Sequence, residues 1–250
     1  MKKIPQIIVI LLLLSTTSTL TLAACDDPPG KRVIWIDCDK QGMDLRGLDL
    51  RGAILTRTNL TAADLRDARL NGADFNFANL SSARLDNARL NNARFVSANM
   101  TNAKLNDSYL DGADLDRALL DGAQFKNARM QGASLYQSSL ISADLSGANL
   151  QDAELTQATL TEANLSAANL AGANLEQAVL EDAVMKDSNL QKANLKNANL
   201  QFADLSNTDL SMATLVDALM SETNLKGARL DKTQWVDRKR CRVGSIGQCD

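Results

Sequence analysis

Carboxylates, lysine amines and cysteine thiols are the side chains that could do chemistry in this sequence, because its 250 residues contain no histidine. Without an imidazole the chain cannot form a Ser-His-Asp triad, a Cys-His pair or a histidine metal ligand. Neighbouring carboxylates such as Glu181 and Asp182 remain, but acid-base catalysis would need a cleft that excludes water. The sequence also contains no P-loop, no GxSxG motif and no metal-ligand spacing. We therefore predict no catalytic residue, no metal site, no cofactor and no small-molecule substrate.

The N-terminal residues are typical of an export signal. Lys2 and Lys3 supply positive charge, and residues 7–14 form an uninterrupted apolar run. This run is much shorter than the roughly 20 residues that a membrane-spanning helix needs. Residues 1–24 are therefore predicted to be a signal peptide rather than part of the fold.

The end of that segment, Leu22-Ala23-Ala24-Cys25, resembles the lipobox of bacterial lipoproteins. The resemblance implies signal peptide cleavage between Ala24 and Cys25 and lipid attachment to the Cys25 thiol. Several acyl chains would hold the protein stably on the extracytoplasmic side of the cell membrane. Asp26 then implies retention at the inner membrane, facing the periplasm, in a Gram-negative cell. The alternative is ordinary cleavage, which would leave the protein free in the periplasm or secreted.

A five-residue repeat fills most of the chain. Every fifth residue from Leu45 to Trp235 is apolar, and the residue two positions before it is nearly always small. An α-helix, at about 100° per residue, would scatter these positions around its axis, and a plain strand would put successive units out of phase. The backbone must therefore turn a corner once per unit. The residue two positions after the apolar one is often glycine or asparagine, as at Gly47 and Asn87. Both residue types tolerate the positive φ of tight turns.

This Ala-(Asp/Asn)-Leu-x-x pattern, seen for example at 143–147, resembles the pentapeptide repeat family over essentially the whole mature chain. The resemblance implies an all-β fold, a right-handed quadrilateral β-helix with four pentapeptides per coil and both repeated positions pointing inward. About ten coils are expected. We predict a lipid-attachment cysteine and tether at 25–32, the β-helix at 33–237 and a C-terminal cap at 238–250. Trp35 and Trp235 are expected to cover the two ends, since open sheet edges invite aggregation.

Three cysteines remain besides Cys25. Cys241 and Cys249 flank a short loop, and we predict a disulfide between them in an oxidising compartment. Cys38 lies in the column of small inward residues and is predicted to be a buried thiol. The absence of histidine and of a CxxC spacing disfavours a metal site or a redox dithiol.

Any binding function must lie on the outward positions, and one predicted side differs from the other three. The side that contains Leu60, Leu80 and every twentieth residue to Met220 has no lysine or arginine. Its candidate interaction residues are Leu119, Asp121, Ile141, Glu162, Val179, Glu181, Asp182, Phe202, Leu219 and Glu222. A partly apolar side without basic residues is a candidate protein-binding surface. The alternative is an ordinary solvated side that arose by drift among duplicated repeats.

These observations favour a non-catalytic interaction or scaffold rod, anchored by lipid to a bacterial membrane and bound to an unknown protein partner. The small net charge of −3 and the mixture of both signs give no reason to expect a nucleic-acid partner. The family resemblance implies one alternative, since some members mimic duplex DNA with an acidic rod and inhibit DNA gyrase. That activity requires the cytoplasm and a strongly acidic surface, so an exported chain of mixed charge fits it poorly.

Overall fold

The repeat forms a stack of coils in which each residue lies beside the residue 20 positions later. A computed structural model describes residues 25–250. In it, parallel backbone bridges join the residue before each central apolar position to its counterpart in the next coil, as Asn59 to Asn79. This register runs from Ile34 to Gln234, so four pentapeptides complete one coil. The predicted signal peptide, residues 1–24, and the expected cleavage site at Ala24 lie outside the described residues.

Each side of a coil contains a bridge residue, the central apolar residue after it, and a two-residue turn that leads to the next side. Residues 25–250 contain no α-helix and no strand longer than one bridge residue. None of these residues forms a helix that is long and apolar enough to cross a membrane.

The second turn residue has a positive φ in every unit from Asp37 to Lys232. The sequence predicts this conformation for glycine and asparagine, and Asn87 has a φ of 58°. The structure shows the same conformation at large residues, such as Phe202 with a φ of 60°. Valine, isoleucine and threonine, whose branched Cβ makes positive φ unfavourable, do not occur among the described residues with this conformation. The corner therefore constrains the sequence by excluding side chains that branch at Cβ.

Both repeated positions of the pentapeptide point into the rod. The central residues from Leu45 to Leu215 are fully buried, as at Leu150. Stacking brings equivalent side chains of adjacent coils together, and the Phe75 and Phe95 rings lie parallel with their centroids 4.8 Å apart. Each buried leucine stabilises the fold by about 1.5–3 kcal/mol before conformational entropy is subtracted.

Residues 25–30 fold back over the first coil. The Trp35 indole is fully buried beneath them, and its Nε1 donates a hydrogen bond to the Asp27 carbonyl at 3.2 Å. The Lys40 ammonium lies 4.3 Å from the centroid of the Trp35 ring and donates to the Cys25 carbonyl. A disulfide joins Cys25 to Cys38, with 5.4 Å between their Cα atoms.

This disulfide differs from two expectations based on the sequence. The sequence predicts a lipid on the Cys25 thiol and a free buried thiol at Cys38, whereas the structure joins the two sulfur atoms. A sulfur atom in a disulfide cannot also form the thioether bond of a lipid anchor. The difference arises because residues 25–32 are not an extended tether: the contacts with Trp35 and Lys40 hold the start of this segment against the rod.

The C-terminal tail, residues 238–250, turns back across the last coil. Antiparallel bridges join Arg240 to Gln234 and Ile246 to the preceding side of the coil. A disulfide links Cys241 to Cys249, with 4.9 Å between their Cα atoms. Cys241 is 2% exposed, so this crosslink starts from the interior of the rod.

The tail covers only part of the C-terminal end. It pairs with two sides of the last coil and leaves Met220 and Leu225, on the other two sides, partly exposed. Trp235 is partly buried, whereas Trp35 is fully buried at the opposite end. The two tryptophans therefore do not cover their ends equally.

Truncating a buried central residue should destabilise the rod much more than truncating an exposed leucine. Leu150→Ala leaves a cavity, so we expect the free energy of unfolding to fall by about 2–5 kcal/mol. Leu119→Ala, at a position that is 49% exposed, should change it by about 0.5 kcal/mol or less. Urea denaturation followed by circular dichroism measures both variants. Equal losses would show that the central column is not the core.

Candidate interaction surfaces

The bridge register places the ten predicted interaction residues together. We call the side with central residues Leu60, Leu80 and every twentieth residue to Met220, with the corner that follows it, the acidic side. Leu119 pairs there with Asn99, and Asn199 pairs with both Val179 and Leu219. The remaining candidates lie two or three positions after bridge residues of this same ladder, which also includes Ser139 and Thr159, so all ten lie along one stripe of the rod.

Four of the five apolar candidates are well exposed. The exposed fractions are 49% for Leu119, 40% for Ile141, 53% for Phe202 and 56% for Leu219. Val179 is partly buried and offers less surface than the sequence suggests. Phe202 and Leu219 belong to neighbouring coils at the C-terminal end, where Met220 is also partly exposed. The apolar character of the acidic side is therefore greatest near that end.

The carboxylates of the acidic side have no basic partner. The five acidic candidates are Asp121, Glu162, Glu181, Asp182 and Glu222. None of them forms an ion pair within 4.0 Å in the described chain. Where these carboxylates accept hydrogen bonds, the donors are hydroxyl and amide groups. Ser139 Oγ donates to Asp121 at 2.5 Å, and Asn199 Nδ2 donates to Glu181 at 3.4 Å. Their negative charge is thus available to a partner.

Glu181 is partly exposed and Asp182 is exposed. They line neither of two surface cavities, of about 290 and 520 Å³. No group of three or more acidic or cysteine side chains that could hold a metal ion occurs within residues 25–250. The expectation that the chain has no catalytic or metal-binding residue stays a prediction.

The opposite side of the rod contains a cavity that the sequence reasoning missed. We call this side the arginine side, and its central residues are Leu50, Leu70 and every twentieth residue to Leu230. The cavity of about 520 Å³ is lined by Gly47, Asp67, Arg69, Asn87, Arg89 and Tyr109. A signal was present in the sequence, because positions 69, 89, 109 and 129 read Arg-Arg-Tyr-Arg at the spacing of one coil.

Near the N-terminal end, several aspartates and arginines neutralise each other in Asp-x-Arg pairs. Residues two apart project from the same side of a coil, and three such pairs form ion pairs of 2.7, 2.5 and 2.6 Å, namely Asp44 with Arg46, Asp49 with Arg51 and Asp64 with Arg66. Hydrogen bonding to the Arg46 guanidinium lowers the pKa of Asp44 to about 2. Arg46 also lies 3.8 Å from Asp64. The charges of these three pairs are therefore compensated, unlike those of the acidic side.

The Asp44 pair should make a pH-dependent contribution to stability. Because the folded-state pKa of Asp44 is about 2, below its ordinary value of 3.8, this contribution is present above about pH 4 and is lost as the pH falls towards 2. Arg46→Gln should therefore lower the urea midpoint slightly at neutral pH and leave it unchanged near pH 2. The effect is small because solvent screens an exposed pair.

The control for this experiment is Arg94→Gln, since Arg94 forms no ion pair in the described chain. The difference in urea midpoint between Arg94→Gln and the wild type should not show the change between pH 7 and pH 2 that is expected for Arg46→Gln. A constant difference for Arg46→Gln across this range would argue against the assigned pair.

The chain matches a family model described as pentapeptide repeats. Eight copies are found, over residues 41–72, 73–112, 98–140, 138–173, 163–201 and 198–233. A search among curated proteins gave no match.

Several solved structures are similar to the chain. HetL, a pentapeptide repeat protein involved in heterocyst differentiation regulation in the cyanobacterium Nostoc, is 31% identical, with 84% of this chain and 94% of HetL covered and a TM-score of 0.40. A pentapeptide repeat protein from the Arabidopsis thaliana thylakoid lumen is 32% identical over 39% of this chain and 65% of its own, with a TM-score of 0.31. QnrB1, a plasmid-mediated fluoroquinolone resistance protein, is 20% identical over 79% of this chain and 91% of its own, with a TM-score of 0.36.

Proposed function

The chain belongs to the pentapeptide repeat family, and we propose that it is a non-catalytic interaction rod that works outside the cytoplasm. Pentapeptide repeat proteins fold as right-handed quadrilateral β-helices, a non-enzymatic kind of fold. The observation that carries the proposal is the acidic side, where exposed apolar side chains alternate with carboxylates that have no basic partner.

A protein with exposed basic and apolar side chains is the partner that this surface fits. Burying Phe202 and Leu219 would remove apolar area from water, which favours association. The unpaired carboxylates would attract basic groups and disfavour acidic partners. The stacked coils hold these residues at a fixed spacing, so little backbone ordering is needed on binding.

Export is supported by the signal-like pattern at residues 1–24 and by the cysteine pairing. The described residues contain no free cysteine, and the two disulfides fasten the two ends of the rod. Disulfides persist in oxidising compartments and are rare in the cytosol. We therefore propose a periplasmic or secreted rod, with the Cys25 thiol in a disulfide in place of the lipid anchor.

The mass and thiol content of the mature protein test this location. We expect the chain purified from an exporting bacterial host to lack acyl mass. When it is unfolded in denaturant, so that the buried Cys38 is accessible, it should react with a thiol-alkylating reagent only after reduction. Cys25→Ser should expose one alkylatable thiol, Cys38, without any change in membrane partition. Acyl mass on the wild type, together with a Cys38 that alkylates without reduction, would instead establish the lipoprotein.

The role of the acidic side is tested by a matched pair of phenylalanine variants. Phe202 and Phe77 both occupy the positive-φ corner and are 53% and 59% exposed, but only Phe202 lies on the acidic side. After chemical crosslinking in intact source cells, Phe202→Ser should lose the specific crosslinked partner by about tenfold. Phe77→Ser should retain it. Equal crosslinking by both variants, or loss with Phe77→Ser alone, would contradict the assignment.

A further inference from the structure

We propose that the cavity on the arginine side binds a phosphate-bearing ligand. Its two key residues are Arg69 and Arg89, which occupy equivalent positions in adjacent coils and are joined by a parallel bridge. Equivalent residues of adjacent coils are about 4.8 Å apart. Both side chains are exposed and both line the cavity of about 520 Å³. Two arginine side chains from adjacent coils therefore line the same opening.

Neither arginine has a carboxylate within ion-pair distance in the part of the chain that the structure describes. The local sequence explains this. The pattern Asp49-x-Arg51 of one coil becomes Arg69-x-Asn71 and then Arg89-x-Asn91 in the next two coils. The basic residue has moved to the bridge position, and a neutral amide has taken the place where its partner would lie.

The carboxylates above and below the two arginines are already engaged. Both oxygens of Asp49 accept hydrogen bonds from Arg51, at 2.8 and 2.5 Å. Asp111 accepts from Asn91 at 3.2 Å and lies 3.4 Å from the Arg129 guanidinium. These contacts leave the two cavity arginines without an intramolecular counter-charge along their column.

The remaining charge in the cavity is that of Asp67, so the charged lining residues sum to +1. Like charges placed directly opposite each other on adjacent strands are unfavourable. An anion between Arg69 and Arg89 would remove this repulsion and satisfy both groups. The uncompensated arginine pair thus selects for an anionic ligand.

The geometry favours phosphate over a simple carboxylate. A single guanidinium fork satisfies a carboxylate through two parallel hydrogen bonds, whereas a phosphate has further oxygens for a second fork. Tyr109 bounds the cavity beside Arg89, and the Arg129 guanidinium carbon lies 5.5 Å from the centroid of its ring. The cavity volume of about 520 Å³ exceeds that of a phosphate ion, so there is room for the group to which the phosphate is esterified. The phosphate could belong to a soluble ion or ester, or to a lipid headgroup.

Calorimetric titration of the full mature chain with inorganic phosphate at neutral pH tests the site. We expect phosphate to bind more tightly than acetate at the same ionic strength. The double variant Arg69→Gln, Arg89→Gln should lose affinity for phosphate by about tenfold or more, because two charge-assisted hydrogen-bonding groups are removed. Circular dichroism should show an unchanged fold, since both side chains are exposed.

The matched control is Arg229→Gln on the same column of the arginine side. Arg229 lies 3.2 Å from Asp209 and 3.1 Å from Asp231, so its charge is already compensated. This variant should bind phosphate as the wild type does. Phosphate binding that is unchanged in the double variant, or no stronger than acetate binding in the wild type, would overturn the proposal.

Phosphatidylcholine vesicles containing phosphatidic acid distinguish the two sources of phosphate. Cosedimentation that depends on Arg69 and Arg89 would identify a lipid phosphate monoester as a ligand. Binding of inorganic phosphate without cosedimentation would identify a soluble phosphate ligand. Absence of phosphate binding would overturn the site whatever the vesicles show. None of these results depends on the acidic side, so this test and the test of the proposed function succeed or fail separately.

Discussion

Hydrogen bonding between successive coils is the constraint on which the whole structure depends. The N–H of Leu60 donates to the Asn79 carbonyl at 2.7 Å, and the N–H of Asn79 donates to the Thr58 carbonyl at 3.0 Å. The same exchange recurs along the rod. An insertion of one residue would turn the inward columns outward and leave buried N–H groups without acceptors, at about 1–3 kcal/mol for each group. The five-residue unit is therefore kept without interruption from one end of the rod to the other.

The same constraint organises the surface, because each outward side chain has its vertical neighbours 20 residues away. Where these neighbours are complementary they form ladders, such as Asn149, Asn169 and Asn189, whose amides are linked at 3.0 and 3.1 Å. Where they are not complementary, the charge stays available. Unpaired carboxylates on one side and the unpaired Arg69 and Arg89 on the opposite side are two results of this rule. The rod thus presents chemically different surfaces on opposite sides without any change in its backbone.

The ends of the rod are where the hydrogen-bond ladder stops, and a segment from outside the repeat packs over each end, although it covers only part of the C-terminal one. At the N-terminal end the covering segment packs on Trp35 and is fastened by the Cys25 and Cys38 disulfide. At the C-terminal end the tail pairs in antiparallel fashion and is fastened through Cys241. Edge strands left open invite association with other chains. Covering and crosslinking the ends reduces this tendency.

The sequence by itself determined the period, the two inward columns, the corner and the side on which each outward residue lies, because a strict five-residue repeat admits one phase for all of these properties. It located the acidic side for the same reason. The partner of Cys25 was decided only by the tertiary structure, since it depends on how residues 25–30 fold over Trp35, and no repeat governs that segment. The arginine site was also decided there. Whether Arg69 or Arg89 meets a carboxylate depends on which neighbouring acids are already bound, as Asp49 is by Arg51, and a sum of charges along the sequence does not contain that information.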